Sequence, residues 1–84
     1  MQKWILKACL DTACAYIRLG NLDEAELLYD QGLLQAEAMG GQNNLIVVRV
    51  LLHMIDLFQM QRRYEECSAL WTRIYRIAVI VLKT

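Results

Sequence analysis

Apolar residues along this chain fall at three- and four-residue steps almost throughout, the period of a helix with one buried face. From Lys3 to Leu19 the stripe is Leu6, Leu10, Ala13, Tyr16 and Ile17, with Lys7, Asp11 and Arg18 on another side. Gly20 stands where a left-handed residue would end that helix. Asn21 is placed to cap the next one, with Glu24 in capping-box position and the acids Asp23, Glu24 and Glu26 at the positive end of its dipole. This second helix runs to about Met39, with Ala25, Leu28, Tyr29, Leu33 and Ala36 facing inward. Gly40–Asn44 is the one loop. A third helix, Leu45 to about Gln61, is apolar around most of its circumference, and Arg49, His53, Asp56 and Gln59 form a narrow polar stripe. The fourth, Tyr64 to about Leu82, starts amphipathic and becomes apolar all round.

Composition agrees with an all-α chain. It has no proline and only four glycines, and 57% of its 84 residues are hydrophobic, above the usual share for a globular domain. One small domain is expected over 1–84, near the size where a single core is only marginally stabilising. Net charge is zero, with no basic footprint for nucleic acid or an anionic membrane. Three scattered cysteines suit a reducing intracellular compartment, cytoplasmic or nuclear, better than a disulfide framework. Met1–Lys7 is broken by charge too soon for a signal peptide, and the apolar run 77–82 is far too short to cross a bilayer. Arg73, Arg76 and Lys83 give the last helix only a weak polar face for a membrane surface.

Sliding the chain against itself by 42 residues aligns Leu10 with Leu52, Tyr16 with Phe58, Asp23-Glu24-Ala25 with Glu65-Glu66-Cys67, Leu28 with Leu70, Tyr29 with Trp71, and Ala36 with Ala78. Small Ala25 and Cys67 let paired helices approach closely, while Tyr29 and Trp71 reach toward the next helix. A fixed period with one hairpin per copy is the mark of an α-solenoid. Through Ala13, Tyr16, Gly20, Leu22, Ala25 and Tyr29, then Phe58, Tyr64, Cys67 and Trp71, the sequence resembles the tetratricopeptide repeat (TPR) family. The 42-residue spacing is closer to its kinesin-light-chain-like variant than to the 34-residue form. Arg62-Arg63 stands where the family prefers a turn glycine and a capping residue, and Gly32 replaces a small alanine.

The resemblance implies two antiparallel helical hairpins stacked as a solenoid, repeat 1 over about 3–40 and repeat 2 over about 45–82, either alone or as a fragment of a longer one. It implies a protein–protein interaction module or scaffold subunit. A partner helix or peptide would dock on a groove presenting Lys7, Leu10, Asp11, Cys14, Ile17 and Arg18, then Arg49, Leu52, His53, Asp56, Gln59 and Met60. The Lys/Asn/Arg set with which some TPR proteins grip a terminal carboxylate is not evident, since Cys14 and Asp56 fall at those positions.

No cofactor or metal site is expected, and no catalysis. His53 and Asp56 have the spacing of a base and its orienting acid, but no nucleophile or oxyanion donors accompany them, and a hydrogen-bonded surface pair is the plainer reading. Cys9 and Cys14 read as packing residues and Cys67 as the filler of a close helix crossing. Arg62-Arg63 is a solvated corner or a salt bridge to an acidic partner. The acidic second helix is an outer face, or meets the basic last helix of another copy or an adjoining repeat. Both ends carry apolar surface, Trp4 and Ile5 at one and Ile77, Ile80 and Val81 at the other. Neighbouring repeats of a longer parent, a second copy or a bound partner are expected to cover it. The alternative is a self-associating bundle with a purely structural role.

Overall fold

The computed structural model describes residues 3–83, with side chains from Ile5 onward. Its four helices are α1 (Lys3–Arg18), α2 (Leu22–Gly40), α3 (Leu45–Met60) and α4 (Tyr64–Lys83), and no strand occurs among the described residues. Each helix runs back along the one before it, so the fold is two antiparallel hairpins, joined where α3 lies against α2. α1 and α3 also touch directly, and the whole is a flat body of 41 × 31 × 13 Å.

The core is continuous across both hairpins. Leu6, Leu10 and Ala13 of α1 meet Ala25, Tyr29 and Ala36 of α2, and Cys67 and Ile77 close the core from α4. α3 is its centre, with Val47, Val50, Leu51, Met54, Ile55, Leu57 and Phe58 all buried. Only a narrow strip of that helix reaches solvent, as a helix wedged between two neighbours requires. Ala25 and Cys67 are both buried at close crossings, and the Cys67 thiol points at the Ile55 carbonyl, 3.7 Å away. Among the described residues, no helix is long and apolar enough to cross a membrane.

The two hairpin corners have the same hydrogen bonds but different residues. At the first, Gly20 has φ +81°; its N–H donates to the Ile17 carbonyl and that of Asn21 to the Tyr16 carbonyl. This is the six-residue closure that satisfies a helix's last carbonyls. At the second, Arg62 N–H reaches Gln59 and Arg63 N–H reaches Phe58, but Arg62 holds the left-handed conformation, φ +59°. It is the only positive-φ residue other than glycine among those described. A Cβ there crowds the backbone, so the second corner carries strain that the first avoids.

Two expectations about this region need correction. Asn21 does not cap α2 with its side chain: its backbone sits at φ −93°, ψ 68°, not in the extended conformation that aims a capping oxygen at the first turn. The side-chain cap lies at Asn44 instead, whose Oδ1 accepts from the N–H groups of Ile46 (2.8 Å) and Val47 (3.1 Å). Its Nδ2 donates to the Gly41 and Ala36 carbonyls, tying the loop to the end of α2. The acidic α2, in turn, finds basic partners in its own chain. Arg63 reaches Glu26 at 2.6 Å and also Glu66, while Arg73 pairs with Glu37. Arg63 also lies 4.2 Å over the Phe58 ring, so this corner is clamped to both hairpins. Arg62 beside it stays exposed.

Candidate interaction groove

α1 and α3 run parallel, each antiparallel to the α2 between them, and their outward strips border one shallow trough. On α1, Lys7, Asp11 and Arg18 are exposed and Cys14 and Ile17 half-buried; on α3, Arg49, Leu52, Asp56, Gln59 and Met60 are exposed and His53 half-buried. The structure brings some of these together. Lys7 and Arg49 flank a cleft of about 140 Å3 lined by Leu6, Leu10 and Ile46. No ion-pair partner of either cation occurs among the described residues. Asp11 follows one turn beyond Lys7 and Asp56 two turns beyond Arg49, with Arg18 at the far end, so charge runs positive, negative, positive along the groove.

Midway, a residue assigned to the scaffold contributes to the groove floor. Tyr29 reaches from α2 between the two groove helices. Its hydroxyl is 3.7 Å from the Cys14 thiol, and its ring centroid is 5.8 Å from that of His53 at an interplanar angle of 37°. Burial raises the Tyr29 hydroxyl well above its ordinary pKa of 10.0, and the contact with Cys14 and the nearby charge of Asp56 push the same way. Cys14, His53 and Asp56 therefore gather around one neutral phenol. The sequence signal was present, because Tyr29 occupies the repeat position, shared with Trp71, that is expected to reach toward a following helix.

No group of three or more metal-ligating side chains is clustered among the described residues. The His53 ring packs on Tyr29. Cys9 is turned the other way, its thiol donating to the Leu28 carbonyl at 3.1 Å, and burial pushes its pKa up.

The apolar ends are partly redistributed. The Trp4 side chain lies outside the described residues, and Ile5 is half-buried. Ile77, expected at an exposed end, is a core residue at 1% exposure. Val81 packs on the core and helps line a shallow cleft with Met39, Asn44, Leu45 and Ile46. Ile80 is exposed. The reason is rotational: α4 turns Cys67, Leu70, Ile74, Ile77 and Val81 toward the core. What it leaves in water, besides Ile80, is Tyr64, Trp71, Tyr75 and Leu82.

Comparison with protein-family models, curated proteins and solved structures gave no match.

Proposed function

We propose that this chain is a TPR-like interaction module, or a scaffold subunit built on one, that holds a helix or extended segment of a partner protein in the trough between α1 and α3. The observation that carries the reading is the Lys7–Arg49 cleft. Two cations with no ion-pair partner among the described residues stand over an apolar floor, with the carboxylates of Asp11 and Asp56 one and two turns further along. Such alternation sets the register and orientation of a bound segment, while the apolar floor supplies affinity. The contact of the half-buried His53 ring with Tyr29 supports a part in shaping the groove.

Selection of displayed peptides on the chain, followed by titration of those selected, tests this. Leu52→Asp and Arg49→Glu change exposed groove positions and should each weaken binding by at least about tenfold, the effect of losing roughly 1.4 kcal/mol at an interface centre. Trp71→Glu, on α4, should leave groove binding unchanged. Peptides indifferent to both groove substitutions would contradict the proposal.

The alternative, a self-associating helical unit, is favoured by a separate observation on α4.

A further inference from the structure

The exposed side of α4 carries a regular seam. Tyr64, Ser68, Trp71, Tyr75, Ala78 and Leu82 follow one another at steps of four, three, four, three and four, the spacing with which one helix addresses another. Tyr64, Trp71, Tyr75 and Leu82 are 63%, 49%, 72% and 84% exposed. The seam spans nearly the whole 20-residue helix, about 30 Å at 1.5 Å per residue. Arg73 is on the opposite edge of the helix, paired with Glu37 of α2, so the seam faces away from the body of the molecule.

The same face is covered elsewhere in this chain. Forty-two residues earlier on α2, Leu22, Tyr29, Leu33 and Ala36 are buried or packed on the core, and Tyr29 lies against His53 of the antiparallel α3. An antiparallel helix is therefore the geometry this face accepts.

We propose that the occupant is α4 of a second copy of this chain, paired antiparallel about a twofold axis between residues 71 and 75. In that register the seam is its own complement. Tyr64 meets Leu82 of the second copy, Trp71 meets Tyr75, and the small Ser68 meets the small Ala78, letting the helices approach. Charge selects the direction. Glu65 and Lys83, both exposed and without an ion pair among the described residues, flank one side of the seam. Antiparallel pairing brings like flanks of the two helices together and sets Glu65 beside Lys83 of the second copy at both ends, a pair that parallel pairing, which joins opposite flanks, does not form. The helix dipoles favour the same direction. The interface is isologous and closes at two copies. It uses a different helix from the groove, so each copy keeps its trough between α1 and α3 free.

Sedimentation equilibrium across micromolar to millimolar concentrations tests the proposal. The chain should reach dimer mass and go no further. Trp71→Glu should weaken dimerisation at least roughly thirtyfold, as loss of a central aromatic anchor does, with the helical melt showing that the fold survives. Glu65→Lys or Lys83→Glu alone should weaken it roughly 2- to 30-fold through two symmetric exposed pairs, and the two together should restore it. The restoration does not depend on how Trp71→Glu folds. A chain monomeric throughout, a ladder beyond the dimer, a dimer untouched by Trp71→Glu, or a double reversal no better than the single ones would each overturn the proposal.

Discussion

Arg62→Gly should make this protein more stable, although it removes a large side chain and introduces the poorest helix former after proline. The two corners perform the same turn with the same two closing hydrogen bonds, one through Gly20 at φ +81° and one through Arg62 at φ +59°. A residue with a Cβ in that region costs about 1–2 kcal/mol. Glycine returns part of that by being freer in the unfolded chain, about 0.5–1 kcal/mol. The difference, about 0.5–1 kcal/mol, is the expected gain. For a chain this small it corresponds to a rise of roughly 2–8 °C in Tm. Arg62→Ala separates the backbone from the side chain. Arg62 is exposed with no ion pair among the described residues, so this variant should stay within about 0.5 kcal/mol of the parent. Gly20→Ala runs the comparison backwards and should cost what Arg62→Gly gains. Urea unfolding followed by circular dichroism measures all three, at one fixed protein concentration because association would add to apparent stability. If Gly20→Ala destabilises while Arg62→Gly is neutral or harmful, the strain attributed to Arg62 is refuted.

Other outcomes follow from the packing, capping and burial. Asn44→Ala removes the acceptor for two first-turn N–H groups of α3 and should cost about 1 kcal/mol in the same unfolding assay. Gly32→Ala should stabilise by up to about 1 kcal/mol, since a Cβ there would meet Leu6 at 3.4 Å and Cys9 and Leu10 at 3.8 Å, ordinary contact distances, and alanine is the better helix former. An added methyl that instead lowers Tm would show the α1–α2 crossing to be tighter than it is drawn. Alkaline melts probe Tyr29. Its folded pKa lies above the ordinary 10.0, so its contribution is intact below about pH 10 and is lost as the unfolded chain alone ionises above that. Tyr29→Phe should flatten the loss of Tm between pH 9 and 11; an unchanged slope would place the alkaline sensitivity elsewhere.

Helix order, loop position and the pairing of hairpins were legible because each rests on local signals: the period of the apolar stripe, Gly20, the Gly40–Asn44 break, and a repeat that aligns small with small and aromatic with aromatic. What escaped depends on rotation of one hairpin against another. Glu26–Arg63 and Glu37–Arg73 join residues 37 and 36 positions apart, and no local pattern says that α2 will present its acids to its own chain. Ile77 sits in a run apolar all round, where composition cannot say which residues face α3. Asn21 and Asn44 are chemically alike, and only the backbone entering each helix decides which one caps. The groove strips on α1 and α3 were carried over by position from the TPR resemblance. Their floor needed a side chain from a third helix, Tyr29.

The most direct test of the binding role is an amide chemical-shift map of the chain titrated with a selected peptide. The account predicts that the perturbed residues run along 7–18 and 49–60, strongest about Lys7, Asp11, Arg49 and Asp56, with the α4 seam unmoved. Shifts confined to α4, with the two groove helices silent, would contradict it.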